Sequence, residues 1–270
     1  MPFTLSHAAA ALPFRKLKPV WPALVIGTFA PDIQYFIWIS DEDRSGHHFP
    51  GVVLFTLPLA VLLLWVFEWC VKGPVIELLP DPVQRRLHDK VEPLSFWGGR
   101  RFASIVLWIA IGIATHVFWD SFTHGHTWVT AHWALFRYRV PVPFHPPVSV
   151  PRLLQQASTV LGILVLTAWL AVWYRGTAPA PRVGVRHLSS FHKAAVVLTM
   201  VLIAVFAGYP LAIVSLSDHE PPIRFELWAA TVFEAITLVL CTQVLIYGLL
   251  RTLTSRFRRI PATQLGSHGS

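Results

Sequence analysis

The chain has 270 residues, of which 54% are hydrophobic and only 13% charged, where a soluble domain carries charge on roughly a quarter of its residues. Several nearly uncharged runs exceed the about 18 residues that mark a bilayer span, and they are continuous rather than alternating. This excludes a soluble globule and a β-barrel, and it predicts an all-α, polytopic transmembrane helical bundle. The net charge of +8 falls mainly in loops, where Lys and Arg orient the spans, so it reads as topology and not as nucleic-acid binding.

The chain opens MPFTLSHAAAALPFRKLK, with its basic residues after the apolar part, the reverse of a secretory signal. A short N-terminal helix is expected over residues 3–14, carrying His7. Hydropathy then predicts about six spans, at roughly 20–39, 50–70, 102–122, 153–174, 194–216 and 228–250. The first is punctuated by Pro19, Pro22 and Pro31 and contains Asp32. The loop after it holds Arg44, His47 and His48, and the loop before the third span holds Lys72, Arg85, Arg86, Lys90, Arg100 and Arg101. Residues 123–152, rich in aromatics and proline, read as an aromatic lid lying at the interface. Basic residues recur at Arg175, Arg182, Arg186 and Lys193, and again in the tail at Arg251, Arg256, Arg258 and Arg259, whereas 217–227 is net acidic. The positive-inside rule therefore puts both termini in the cytoplasm and the 40–49 and 123–152 loops outside. The whole of 1–270 reads as a single membrane-embedded domain, with a metal-site half in 1–175 and two further spans and a basic tail in 176–270. Cys70 and Cys241 offer neither a disulfide framework nor a thiolate zinc knuckle. In the last span, Gln243 is expected to bond one helix to another and Glu234 is an intramembrane carboxylate whose partner the sequence does not name.

The chemistry concentrates in ATHVFWDSFTHGHTW, residues 114–128. His116 and Asp120 are spaced i, i+4 and share a helix face, with His124 one further turn along. Imidazole nitrogen and carboxylate oxygen together suit zinc or another transition metal, and ionisable groups inside a span are costly and generally functional. Asp32 and the His47–His48 pair lie toward the same outer face, so three separate segments deliver ligand types to one place. His7, judged by its spacing, is an interfacial residue, unless its helix is re-entrant and tucked into the bundle. Arg44, Arg137 and Arg139 can grip phosphate oxygens, and Trp128 can meet an amphiphile at the lid; the plainer role of each is interfacial contact with lipid.

The stretches TLSHAAAALP, APDIQYF, GHHFPGVVLFTLPLA and THVFWDSFTHGHTW resemble a bacterial integral-membrane family known only as a domain of unknown function. That family in turn resembles the inner-membrane metal-dependent hydrolases. The order of ligands is also similar to that of zinc-dependent phospholipase C. The resemblance implies a metal site of His7, Asp32, His47, His116 and Asp120, with Asp120 and His124 in the catalytic step. It implies one or two divalent ions, zinc first and manganese second, since a further downstream His-x-x-x-Glu or His-x-x-x-Asp is lacking.

The expected function is therefore a metal-dependent hydrolase in the bacterial inner membrane, acting on a phosphoester of a lipid or other amphiphile. The alternatives are a metal-binding transporter or sensor, and a prenyl-diphosphate lyase or cyclase. The last lacks its Asp-rich motifs, DEDRS at 41–45 being the nearest approach. No partner beyond lipid and no oligomeric state is legible.

Overall fold

The computed structural model describes residues 4–17, 20–38, 49–125, 127–143, 145–180, 188–217 and 225–257. A 3-10 helix, Thr4–Phe14, leads to α1 (Trp21–Phe29), a 3-10 turn at Ala30–Asp32 and α2 (Ile33–Trp38). One continuous helical stretch, Val52–Leu78, holds α3 (Leu57–Val66) and α4 (Lys72–Leu78), with π turns at Val52–Thr56 and Phe67–Val71. After α5 (Asp81–Gln84) come α6 (Gly99–Thr123), α7 (Trp128–His132) and α8 (Ala134–Arg137). An antiparallel hairpin of β1 (Arg139–Val142) and β2 (His145–Ser149) then precedes α9 (Val150–Gly176), α10 (Ser190–Leu216) and α11 (Phe225–Phe257).

Among the described residues five helical stretches are long and apolar enough to cross a membrane: Val52–Leu78, α6, α9, α10 and most of α11. This is the build of an all-α, multi-pass membrane protein. The first of the six expected spans is a broken helix. Pro31 has no N–H to give to the preceding turn and its ring crowds that turn, and the chain tightens to a 3-10 turn over Ala30–Asp32 before resuming as α2. The hairpin is the one departure from all-helical structure among the described residues.

The chain divides into two compact units. One joins the chain up to Trp65 with Ser95–Thr177, and the other joins Val66–Leu94 with the chain from Ala178 onward. In the first unit, glycines let α1 and α6 touch along their backbones. A Cβ on Gly112 would sit 2.4 Å from the Leu24 carbonyl oxygen, and one on Gly27 would sit 2.3 Å from that of Ile109. The buried stripe of α6 is Ile105, Ile109, Gly112, Ile113, His116, Asp120 and Thr123, so the face that packs on α1 ends in the ligand-type residues. The 3-10 helix lies on α9, where a Cβ on Gly162 would fall 2.6 Å from that of Ser6. Trp21 Nε1 donates to the Ala11 carbonyl at 2.8 Å and ties the same helix to α1. The lid starts with a reciprocal cap between Thr127 and Thr130, and Phe136 is its buried aromatic, 6.0 Å from the ring of Phe122.

The second unit packs α10 on α11, with Gly208 against the Ile236 backbone. Gln243 Nε2 on α11 donates to the Met200 carbonyl on α10 at 3.1 Å, the expected bond between helices. Two charges assigned to solvated segments by the sequence lie elsewhere. Lys193 sits inside α10, buried, and donates to Asp81 Oδ1 at 2.6 Å, Leu79 O at 3.0 Å and Gln84 Oε1 at 3.0 Å. Arg251 lies within α11 and pairs with Glu77. Glu68, buried in the second span, pairs with Lys72 and accepts from the Leu94 N–H at 2.7 Å.

Candidate metal centre

Three elements of the first unit bring their polar side chains together. The 3-10 helix contributes His7, the Ala30–Asp32 turn contributes Asp32, and the last turns of α6 contribute His116 and Asp120. All four are buried, His116 and Asp32 at 0% exposure.

The hydrogen bond made by His116 decides what its other nitrogen is for. Nδ1 lies 2.9 Å from the Thr28 carbonyl oxygen. A carbonyl only accepts, so Nδ1 carries the hydrogen, and in the neutral ring Nε2 presents a lone pair. That Nε2 lies 3.2 Å from Asp120 Oδ2 and 3.3 Å from Asp32 Oδ1. With that ring neutral, a cation shared by the three atoms relieves their repulsion; with it protonated, Nε2 donates to the carboxylates itself. The spacing suits a metal: ligand bonds of about 2.0–2.1 Å in a tetrahedral zinc site set the ligand atoms roughly 3.3 Å apart. A backbone carbonyl holding the far nitrogen is also the usual way a metal-binding imidazole is oriented.

Asp120 turns its two oxygens to different partners. Oδ2 faces His116, and Oδ1 lies 3.6 Å from His7 Nε2. Ligand atoms of His7, His116 and Asp120 all fall within 4.8 Å of one another. The two imidazoles stack, with centroids 4.0 Å apart and planes 22° from parallel. His7 Nε2 is buried without a hydrogen bond. Burial pushes the His7 imidazole down to about 4, so near neutral pH the ring is uncharged and a lone pair is open to a cation. Hydroxyls steady the carboxylates: Thr4 Oγ1 donates to Asp32 Oδ2 at 2.8 Å, and Thr123 Oγ1 to Asp120 Oδ1 at 3.4 Å.

The other sequence candidates fall in three groups. His47, the fifth expected ligand, lies outside the described residues, as do His48, His126 and Arg44. His124 ends α6, with Nδ1 3.6 Å from Asp120 Oδ2 and the side chain 26% exposed, so it stands at the open edge of the cluster. Arg137, Arg139 and Trp128 stay on the lid surface. Arg137 donates to the Ala131 carbonyl at 2.6 Å, Trp128 stacks on His132 with centroids 4.8 Å apart, and Arg139 is exposed on β1. Sequence reasoning missed Thr4 and Thr28. Thr4 carries a signal, since it precedes His7 by three residues and a 3-10 helix stacks i on i+3. Thr28 acts through its backbone carbonyl, which no residue type announces.

The site and the spans together define a multi-pass membrane protein with a buried His/Asp cluster at the end of a membrane helix. The chain belongs to the family described as a domain of unknown function, DUF4184, whose model matches residues 1–251. No curated protein and no solved structure matches it.

Proposed function

We propose that the protein is a membrane-embedded, metal-dependent hydrolase of phosphoesters, acting on a lipid or other amphiphile at the membrane face. The observation that supports this most is the crowding of His116 Nε2, Asp120 Oδ2 and Asp32 Oδ1 within 3.2–3.3 Å of the nitrogen, an arrangement that asks for a cation. His116, Asp32, Asp120 and the expected ligand His47 would hold one divalent ion; His7 and the second oxygen of Asp120 would hold another. Zinc suits the donor set best and manganese comes second. Such an ion supplies positive charge for phosphoryl oxygens and makes a water acidic enough to attack near neutral pH. Asp120, turned to both histidines, fixes the spacing of the site. His124, at its open edge, is placed to take up or return a proton. Arg44, Arg137, Arg139 and Trp128 are the groups proposed to meet the head group.

We place the chain in the bacterial inner membrane with both termini cytoplasmic and the site on the outer face, from the loop charges. The broken helix Trp21–Trp38 rises about 27 Å, near the roughly 30 Å of hydrocarbon it would have to cross, and is the sixth crossing in this reading.

The test is elemental analysis of the detergent-purified chain beside His116→Ala and Asp120→Asn, followed by hydrolysis assays on lipid phosphoesters. One or two ions per chain, lost in both variants, with metal-dependent release of a phosphorylated head group, is the expected result. No metal after reconstitution with zinc and manganese would overturn the reading and leave a proton as the shared cation. Metal without hydrolysis across the panel would make the chain a metal-binding membrane protein.

A further inference from the structure

His7 of the cluster lies in the wall of a cavity of about 640 Å³ in the first unit. The 3-10 helix forms one side of it through Ser6, His7, Ala9 and Ala10. Helix α6 forms the second from Ile111 to Trp119, and α9 forms the third from Ser158 to Val165. The volume lies within the roughly 300–1,000 Å³ of small-molecule sites.

Its surface is built to meet hydrocarbon. Two of the lining hydroxyls are turned back into their own helices: Thr115 Oγ1 donates to Gly112 O at 2.7 Å, and Ser158 Oγ to Gln155 O at 3.0 Å. What remains toward the cavity is chiefly Ala, Ile, Leu, Val and aromatic carbon, and His7 is the one titratable group in the lining. The rim residues Phe118, Leu161 and Val165 are 65%, 62% and 40% exposed. On helices that cross a membrane, that exposure faces lipid and not water, so an occupant can enter from the bilayer without passing through solvent. Small side chains leave room along it: Ala9, Ala10, Ala114 and Gly162 are among the lining residues.

The direction of the cavity also fits. Helices α6 and α9 both run away from the connection that joins them, residues 124–149. On α6 the lining starts at Trp119, next to Asp120, and recedes to Ile111; on α9 it starts at Ser158 and recedes to Val165. Each lining run extends about 10–12 Å along its helix axis. The cavity thus leads from the ligand cluster along the two helices toward the interior of the bilayer.

We propose that this cleft is the hydrocarbon-chain site of the substrate, taking one acyl or isoprenyl chain from the bilayer with the phosphate-bearing head at His7, His116 and Asp120. It rests on the hydrolase reading for the head group, but the chain site has its own readout. The chain lies against α6, α9 and the 3-10 helix, with Ala114, Leu161 and Val165 at its sides. Of the described lid aromatics, Trp128, Trp133 and Tyr138, exposed where Phe136 is buried, then meet the head-group region and not the tail.

The experiment is native mass spectrometry of the full chain in detergent, titrated with dioleoyl phosphatidic acid in one arm and farnesyl monophosphate in the other, with bound metal measured in parallel. One lipid retained per chain in at least one arm is expected, and the arm that binds identifies the chain type. Ala114→Trp and, independently, Val165→Trp should each weaken retention roughly tenfold or more, as filling an apolar pocket does, with metal content unchanged as the control for folding. His116→Ala should lose metal and weaken lipid retention less than either Trp variant. Wild-type retention in neither arm, or unaltered retention in both Trp variants, would overturn the chain site. Lipid retained and weakened as expected in a chain that binds no metal would sustain the chain site and sink the hydrolase reading.

Discussion

Each compact unit buries a polar cluster, and the two clusters differ in their donors. In the second unit a single ammonium, Lys193, meets three acceptors at 2.6–3.0 Å: Asp81, Leu79 O and Gln84. An ammonium has three hydrogens to give, so this cluster supplies its own cation and its own hydrogen bonds. In the first unit His7, Asp32, His116 and Asp120 bring two carboxylates and two imidazole nitrogens together, and the Nδ1 hydrogen of His116 is already given to Thr28. On the proposed reading, a cation from outside completes that cluster. Burial and proximity are alike in the two; the balance of donors and acceptors is what separates them.

The comparison breaks or sharpens on four substitutions. Asp120→Asn should reduce metal affinity more than about a hundredfold, because even groups that only support a ligand are worth 10–100-fold. Removing one of two crowded carboxylates should leave the thermal stability of the metal-stripped protein no lower than that of the stripped wild type. A clear fall in that stability would mean the cluster is a packing device like its counterpart. Lys193→Met should do the reverse. It takes the ammonium away from Asp81, Leu79 O and Gln84, for a loss of about 3 kcal/mol in thermal or denaturant unfolding in detergent, with metal content intact. Gly112→Ala drives a Cβ to 2.4 Å from the Leu24 carbonyl. Pushing α1 off α6 should cost about 2 kcal/mol and also weaken metal binding, because Thr28 and Asp32 move away from His116; full metal affinity would show that the helix contact does not set the site. Thr4→Val removes the hydroxyl on Asp32 and should lower metal affinity about tenfold while shifting stability by no more than about 1 kcal/mol, as read by competition with a chelator and by a melting curve.

The spans and the His116–Asp120 pair show where reading the sequence succeeds, and Lys193 and His7 where it stops. Span positions follow from hydropathy because the bilayer acts as solvent on each segment separately, and five of the six expected spans are single long helices. The sixth contains Pro31, and sequence flagged the residue without deciding between a kink and a break. His116 and Asp120 were legible as a pair because i, i+4 is a property of one helix. His7 was named only through the family resemblance, since its neighbours in space come from α6 and nothing in TLSHAAAALP by itself states that this segment is buried beside it. Lys193 was misplaced for the same reason: four residues into α10, it looks like one more loop charge until Leu79, Asp81 and Gln84 are seen around it. Glu68 was passed over inside an apolar run, although its partner Lys72 lies one turn on.

The sequence by itself determined the class of molecule and the inventory of its site: apolar helices long enough to cross a membrane, and histidines and aspartates confined to a few places along them. These are local properties, set by composition and by helical period. Tertiary structure alone decided which of those residues meet. The Gly27–Gly112 contact brings a backbone carbonyl to His116, Gly162 lets the N-terminal helix seat against α9, and together they turn Asp120 toward two histidines and leave an apolar cleft beside them. Contacts between segments distant in sequence depend on how closely backbones approach, and that is a matter of packing which no single stretch of residues encodes.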